Sequence, residues 1–312
     1  MASFNKHTLC IDGNLVDSAT VSAALGEVRQ RSPILEITLR NVSIDDVVST
    51  AMDQLLQHDD DDDTSSHRIW TKLELSHCTG DIWKVLQSAA SCDRIEQIYF
   101  AGTVPVAHNP RYCLDLPSLR AIKLVLQKCT RLSLLCLKGT RLGRAGMQLL
   151  SDGLSESKYL KTLRMSECAM EAMDMPLLAS ALSKNQQLTV LLFSSCKVGG
   201  AGLSERDDPA NYFCSVLEAI RSHPTIEFLT VNGMDLTSRA ADALANILRY
   251  PTTKLWHLGL KNNVHTPDRK LIITPIIDAL KNNRTLKHLQ ISGNNVNNED
   301  MERLAQILAS EN

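Results

Sequence analysis

One short pattern of apolar residues recurs along the whole chain of 312 residues. It reads L-x-x-L-x-L-x-x-N-x-L, where x is any residue and other aliphatic residues can replace Leu, and the segment from Leu286 to Val296 matches it at every position. We number the pattern from its first apolar residue, so that positions 1, 4, 6 and 11 are apolar and position 9 is a turn residue. A chain built from such copies is expected to fold as a stack of similar layers.

Ten copies can be aligned, and 28 residues is the commonest spacing between successive fourth positions, with 25 and 38 as the extremes. Their residues at positions 4, 6 and 9 are Leu9, Ile11, Asn14; Ile37, Leu39, Val42; Leu73, Leu75, Cys78; Ile98, Phe100, Thr103; Leu135, Leu137, Thr140; Leu163, Met165, Cys168; Leu191, Phe193, Cys196; Leu229, Val231, Met234; Leu258, Leu260, Asn263; and Leu289, Ile291, Asn294.

In each copy the spacing of the apolar residues differs between the first half and the second half. The first half alternates, as in Leu163-Arg164-Met165, which predicts a short strand with one buried face. The second half spaces its apolar residues as a helix does, as in the stretch from Ala240 to Leu248. Strands that follow one another through helical crossovers are parallel, and the crossovers are right-handed. The copies therefore predict a parallel sheet with a layer of helices on its other side, bent so that the strands lie inside.

With these copies the chain resembles leucine-rich repeat proteins of the ribonuclease-inhibitor-like type, whose repeats have this length and carry a full helix. The resemblance implies an α/β fold, a right-handed leucine-rich repeat solenoid with a curved parallel sheet on the concave face and helices on the convex face. We expect residues 1–312 to form a single leucine-rich repeat domain of about ten repeats. The longer spacings predict inserted loops near residues 58–67, 104–116 and 199–212.

Position 9 has a physical requirement, because the backbone turns away from the strand there and its amides and carbonyls need a small buried polar partner. Asparagine meets this requirement best, a hydroxyl or thiol less well, and Val42 and Met234 depart from it, so we expect those two turns to be less regular. The asparagines are Asn14, Asn263 and Asn294, the thiols Cys78, Cys168 and Cys196, and the hydroxyls Thr103 and Thr140.

Composition excludes several classes of protein. The net charge is −2 with both signs interleaved, so neither nucleic acid nor a membrane surface is an expected partner. The first residues lack an apolar core and nowhere do 18 apolar residues run together, which favours a cytoplasmic protein, with the nucleus as the alternative. Nine cysteines without a C-x-x-C pair suggest neither a disulfide framework nor a zinc ribbon. Cys10 and Cys136, at outward-pointing position 5, could be exposed thiols.

No motif points to catalysis, a cofactor or a metal, so we expect a protein that is not an enzyme. His257 and His288 share position 3 of neighbouring copies and should lie side by side on the sheet; without a third ligand, two solvated histidines are favoured over a metal pair. The acidic run Asp59–Asp63 favours a solvated insertion over a contact for a basic partner. The segment around Gly199 and Gly200 is typical of a flexible loop.

The informative surface is formed by positions 3, 5 and 7, which the core does not use. Aromatic, aliphatic and basic side chains there predict contacts with a partner protein, although scattered apolar residues without consequence are also common on such faces. The residues that we expect to bind the partner are Tyr99, Leu134, Arg164, Leu192, Phe228, Lys261 and, at the margin in position 2, Trp256.

The pattern thus favours a monomeric, non-enzymatic scaffold that binds an unidentified protein on its concave face, as the resemblance also implies. The alternative is a regulator of a small GTPase, because activating proteins for the nuclear-transport GTPase have this fold. Such proteins typically carry an acidic tail, whereas the acidic run here is internal. At the last copy, either polar residues such as Lys287 and Gln290 discourage edge pairing or another chain covers that end, and we favour the former.

Overall fold

The structure is a computed structural model that describes residues 2–5, 7–30, 35–57, 70–92, 94–102, 114–199, 209–263, 273–294 and 296–310. The chain divides into two compact units, Met1–Arg164 and Met165–Asn312. The boundary between them falls inside one strand, Thr162–Ser166. The single domain expected from the repeats stays a prediction. The acidic run Asp59–Asp63 and Thr103 lie outside the described residues, as does most of each predicted inserted loop.

Unit 1 alternates strands and helices. Its sheet has the order β1-β2-β3-β5-β7-β8, parallel throughout except that β1 pairs antiparallel with β2. A separate parallel pair joins β4 to β6. The elements are β1 (Ala2–Asn5), β2 (Thr8–Asp12), α1 (Ser18–Gln30), β3 (Glu36–Arg40), β4 (Ser43–Ile44), α2 (Asp46–Gln57), β5 (Lys72–Ser76), β6 (Thr79–Gly80), α3 (Ile82–Cys92), β7 (Gln97–Ala101), α4 (Leu116–Lys128), β8 (Leu134–Lys138), α5 (Gly143–Glu156) and β9 (Thr162–Ser166), which reaches into unit 2.

Unit 2 follows the same alternation, with parallel strands in the order β11-β13-β14-β15. The strands β10 and β12 form a short parallel pair of their own. The elements are β10 (Ala169–Glu171), α6 (Met175–Lys184), β11 (Val190–Ser194), β12 (Lys197–Gly199), α7 (Cys214–Arg221), β13 (Phe228–Asn232), α8 (Ser238–Arg249), β14 (His257–Gly259), α9 (Thr274–Leu280), β15 (His288–Gln290) and α10 (Asn298–Ser310).

The predicted alternation of parallel strands with helices is confirmed, because each of the ten aligned copies supplies a strand to the described parts of the chain. The hydrophobic core is formed by the positions that the repeat pattern predicts to be buried. Positions 4 and 6 are buried in every copy except the last, as with Leu229 and Val231 of β13. The helices bury the matching face, for example Leu244 and Leu248 of α8. Burying each such side chain stabilises the layer by about 1.5–3 kcal/mol.

A left-handed residue follows nearly every strand of the aligned copies, at position 8, and the repeat pattern did not predict it. In this conformation the position-8 amide donates to the position-7 carbonyl of the next copy, as from Asn41 to Ser76 at 2.9 Å and from Asn262 to Ser292 at 2.9 Å. The ladder between strands is thereby extended into the turn. The left-handed residues are Asn41, His77 and Gly139 in unit 1, and Glu167, Ser195, Gly233, Asn262 and Gly293 in unit 2.

The predicted role of position 9 is confirmed at two asparagines. The Asn263 amide Nδ2 donates to the carbonyls of Val231 at 2.8 Å and Leu260 at 2.9 Å, while its Oδ1 accepts from the Met234 amide at 2.8 Å. Asn294 repeats this arrangement one copy later, and its Oδ1 accepts from the Asn263 amide at 2.8 Å. Asparagine thus links consecutive turns, using both ends of its side chain.

The prediction for Asn14 is wrong, because this residue is exposed. A 3-10 helix at Gly13–Leu15 starts directly after β2 and turns the side chain toward solvent. Asp12 takes the linking role instead, since its Oδ1 accepts from the Asn14 amide at 3.1 Å and from Asn41 Nδ2 at 3.1 Å. Thr140 is buried as expected, but its hydroxyl has no hydrogen-bond partner among the described residues.

The two turns that depart from the position-9 pattern differ from each other. The turn at Val42 is regular, contrary to expectation: Asn41 is left-handed as elsewhere, and the Val42 carbonyl accepts from the Thr79 amide at 3.0 Å at the start of the β4–β6 pair. The turn at Met234 is less regular, as predicted, because Asp235 adds a second left-handed residue after Gly233. A buried aliphatic side chain at position 9 is therefore compatible with a normal turn.

Candidate functional site

The residues expected to bind a partner all lie on the strands or directly beside them. In unit 1 Tyr99 and Leu134 are half-buried and Arg164 is exposed. In unit 2 the corresponding side chains are all half-buried, and none points into the core: Leu192, Phe228, Trp256 and Lys261. Their binding to a partner stays a prediction.

The unit 1 surface carries charges that offset one another. Glu74 accepts from Lys72 Nζ at 2.6 Å and from Ser76 Oγ at 2.8 Å, and Arg40 lies 3.8 Å away. Burial opposes ionisation of Glu74, yet the hydrogen bonds from Lys72 and Ser76 and the neighbouring positive charges hold the pKa of its carboxyl below the ordinary value. Lys72 also lies 5.0 Å from the centre of the Tyr99 ring. The charges around Glu74 are therefore paired within this surface, whereas Arg164 is exposed.

Leu134 and Tyr99 are neighbours across the β7–β8 pair, where Gln97 is in register with Leu134 and Tyr99 with Cys136. The Tyr99 hydroxyl donates to Gln97 Oε1 at 3.2 Å, which fixes the ring. The expectation that Cys136 is an exposed thiol is wrong: it is 7% exposed, since a thiol is short beside the larger Tyr99. Cys10, the other such residue, is half-buried.

The unit 2 surface contains a cluster of four rings, Phe228, Trp256, His257 and His288, which we call the aromatic–imidazole cluster. The Phe228 and His257 rings are stacked, with centroids 3.7 Å apart and planes 5° from parallel. Trp256 packs edge-on against this stack, at 5.7 Å from each ring, and lies 5.6 Å from His288. In-register pairing of β13, β14 and β15 brings the rings together.

The predicted neighbourhood of the two histidines is confirmed, because His257 and His288 are in register and their ring centroids are 6.0 Å apart. The expectation that both are solvated is wrong for His257, which is 8% exposed beneath the rings of Phe228 and Trp256. Desolvation, followed by the charges of His288 and Lys261, lowers the pKa of His257. No group of three potential metal ligands occurs among the described residues.

Two other contacts position this surface. Val190 of β11 is in register with Phe228, and Leu192 with Thr230, so the aliphatic side chains adjoin the cluster on the next strand. The Lys261 amide donates to Asn232 Oδ1 at 2.7 Å, and its carbonyl accepts from the Gly233 amide at 2.8 Å. The backbone at Lys261 is thereby held beside the cluster, although Lys261 itself lies beyond the end of β14.

The position-9 cysteines are structural, as expected. Cys78 donates from its thiol to the Leu39 carbonyl at 3.4 Å and Cys196 to the Met165 carbonyl at 3.4 Å. Burial raises the pKa of the Cys78 thiol to about 11, which keeps it protonated and a donor at neutral pH. Cys168 donates to the Ser166 carbonyl at 3.5 Å. These residues replace asparagine in the turn.

Sequence reasoning missed a polar groove of about 340 Å³ between α2 and α3. Asp53 Oδ1 accepts there from Ser88 Oγ at 2.6 Å and from Gln57 Nε2 at 2.6 Å. Lys84 pairs with Asp46 and Asp81 and lies over its neighbour Trp83. These groups belong to helices of two different copies, so no local sequence motif indicated the groove. Within the groove Asp53 is therefore held by neutral donors, and Lys84 is paired with carboxylates that lie outside the lining.

No helix in the described ranges combines the length and apolar character that a membrane span requires.

Comparison with known proteins gives a match to a repeat family and likenesses to solved structures. A family model described as Leucine Rich repeat matches residues 282–305. No curated protein matches the sequence. Among solved structures, Leiomodin-1 Actin-Binding Site 2 (ABS2) is similar with a TM-score of 0.35 and 12% identity, over 62% of this chain and 92% of that one. At this level the likeness gives no guide to a partner, so function must be argued from the surfaces of the chain itself.

Proposed function

We propose that this protein is a non-enzymatic scaffold that recognises another protein through the outward strand positions, on the sheet face expected to be concave. The observation that carries the proposal is the unit 2 surface, where Leu192, Phe228 and Trp256 lie half-exposed beside Lys261. Aromatic and basic anchors of this kind supply most of the binding energy of protein interfaces. The match of residues 282–305 to a leucine-rich repeat supports this function.

The unit 1 residues Tyr99, Leu134 and Arg164 belong to the same proposal as contacts that tune selectivity. Tyr99 is held by Gln97 and covered by Lys72, so a partner would meet a fixed ring edged by charge. Arg164 is exposed and can reach a carboxylate with two parallel hydrogen bonds. The proposal further takes the fold to be a right-handed solenoid of the ribonuclease-inhibitor-like type and the protein to be a monomer in the cytoplasm or nucleus.

Two substitutions test the unit 2 surface, Leu192→Asp and Phe228→Asp. Each places a charge among apolar side chains that a partner would bury, so we expect the captured amount of each specific partner to fall at least tenfold, a loss of about 1.4 kcal/mol or more. Partners are first identified by affinity purification of the intact protein with mass spectrometry, and each is then measured with the purified variants.

Met173→Asp is the matched control, because it makes the same kind of change at a residue that is 56% exposed outside the strands of unit 2. Circular dichroism and thermal unfolding should be alike for all three variants. Undiminished capture by the Leu192 and Phe228 variants would contradict the proposed surface.

Regulation of a small GTPase is the alternative function, and it predicts a different result. A regulator would accelerate single-turnover hydrolysis of GTP by its target GTPase, whereas a scaffold would leave that rate unchanged. We favour the scaffold because the described residues contain the binding surface above, and we assign no positioning residue for GTP hydrolysis. Stimulation of GTP hydrolysis by the intact protein would favour the regulator over the scaffold.

A further inference from the structure

We propose that the aromatic–imidazole cluster and Lys261 bind an acidic peptide segment of a partner protein, one that places an aromatic or branched aliphatic side chain next to its carboxylates. This inference rests on the proposed function and names the chemistry of the partner for the unit 2 surface.

The charged groups on the unit 2 surface favour an anionic partner. The outward positions of β11, β13, β14 and β15 carry no Asp or Glu, while His257, His288 and Lys261 supply groups that are or can become positive. Glu227, directly before β13, is exposed at the margin. On unit 1, by contrast, Glu74 already pairs with Lys72. An anion approaching the unit 2 surface therefore meets Lys261 and two imidazoles that can take up a proton, and the outward positions of these strands carry no carboxylate, with Glu227 at the margin.

The same surface also contains apolar side chains that a partner can bury. Trp256 presents a half-exposed indole whose neighbours are the edges and faces of three other rings. Val190 and Leu192 extend this apolar area along β11. A small inorganic anion would leave these side chains in water, whereas a peptide with an aromatic or aliphatic residue would bury them. The surface thus fits a segment that combines both kinds of side chain.

The basic side chains of this surface favour a carboxylate over a phosphate. Phosphate is bound most effectively by arginine, whose planar guanidinium donates two parallel hydrogen bonds, or by several backbone amides at a helix terminus. The strands β11, β13, β14 and β15 contain no arginine, and their position-3 cations are imidazoles. Two imidazoles and a single lysine are better suited to the singly charged carboxylates of an acidic segment than to a doubly charged phosphate.

Binding of such a segment should depend on pH through His257. In the free protein, desolvation and then the charges of His288 and Lys261 lower the pKa of this imidazole. A bound carboxylate favours the imidazolium and raises that pKa, and the face of Phe228 can hold the cation. The complex then takes up protons. The gain in affinity is complete below the free-protein pKa and is lost as the pH rises through the pKa in the complex.

The experiment selects the peptide before testing its chemistry. Random twelve-residue peptides displayed on phage are selected against the intact chain at pH 6 and low salt. Enriched peptides are synthesised in two forms, as selected and with every Asp and Glu replaced by Asn and Gln. We expect an excess of acidic and apolar residues among them, and about tenfold weaker binding of the amide form in calorimetric titration.

Protein variants locate the effect. Lys261→Met should weaken the acidic form about tenfold and leave the amide form unchanged. Arg239→Met removes one charge from α8 and should change affinity less than twofold. For the unaltered protein, affinity should fall about three- to tenfold from pH 6 to pH 8, with proton uptake seen by comparing buffers of different ionisation enthalpy. His257→Gln should reduce that pH dependence.

The outcomes distinguish this inference from the proposed function. Peptides that bind through Leu192 and Phe228 but show no acidic excess, bind equally as amides or ignore pH would overturn the inference and leave the scaffold in place. Displacement by inorganic phosphate at equal concentration would overturn the carboxylate assignment. If no enriched peptide loses affinity on Phe228→Asp, or none is enriched, the inference and the unit 2 binding surface both fail.

Discussion

At the scale of single residues, the turn after each strand shows what a repeat pattern can and cannot predict. Asn263 and Asn294 are buried linkers as expected, because asparagine is the side chain that can serve both a carbonyl and an amide. Asn14 occupies the same position but is exposed, because a 3-10 helix begins there. The left-handed position 8 went unpredicted since Asn, His, Glu, Ser and Gly all occupy it.

The difference between the buried Asn263 and the exposed Asn14 gives a prediction. Asn263→Ala leaves the Val231 carbonyl and the Met234 amide without this partner, while the Leu260 carbonyl keeps only its bond from Asn294, so we expect unfolding in denaturant to require about 2–4 kcal/mol less free energy. Asn14→Ala makes the same chemical change at an exposed side chain and should alter stability by less than about 0.5 kcal/mol. Equal losses in the two variants would contradict the linking role.

At the scale of elements, helices and long strands were predicted well and short strands were not. The helix expected from Ala240 to Leu248 is observed as α8, Ser238–Arg249, because its apolar spacing extends over two turns. The pairs β4–β6 and β10–β12 consist of strands of two or three residues, too short to show a period. In the first pair, a Cβ at Gly80 would collide with the Ile44 carbonyl oxygen, and φ there is +81°.

Two glycine substitutions test this close approach. Gly80→Ala should lower the free energy of unfolding by roughly 2–4 kcal/mol, because an L side chain at this φ is strained and the β4–β6 pair must separate. Gly26→Ala in α1 adds a methyl group to open space and should raise stability by about 0.5–1 kcal/mol. Chemical denaturation of both variants decides the matter; a loss at Gly26 or a gain at Gly80 would refute the stated cause.

At the scale of the whole molecule, the repeat count was predictable but the exposure of each copy was not. All ten copies form strands, whereas their burial depends on which neighbouring side chains cover them. The last copy looked ordinary in sequence, yet Leu289 and Ile291 are half-buried where Leu258 and Leu260 of the preceding copy are 0% exposed. In α10, Met301 is 48% and Leu308 60% exposed. Neighbouring side chains also bury His257 and Cys136, and they leave most of the expected binding residues half-buried.

This uneven burial predicts the order of local unfolding in unit 2. Amides of β15 and α10 should exchange with deuterium about tenfold faster or more than those of β13 and α8, because fewer apolar contacts oppose their opening. Hydrogen exchange followed by mass spectrometry compares both sets in one sample, so β13 and α8 serve as the internal control. Equal protection of the two sets would show that the last copy is stabilised by contacts other than core burial.

The asparagine linkers impose a direction on the succession of copies. Asn263 serves the turn before it, at Met234, and is itself served by Asn294 in the copy after it. A protein truncated after Asn263 would keep the hydrogen bond from the Met234 amide to Asn263. The Asn263 amide, however, would lose its acceptor, Asn294 Oδ1. A copy that follows Asn263 must therefore supply a hydrogen-bond acceptor for the Asn263 amide, and deletion of that copy leaves the amide without one.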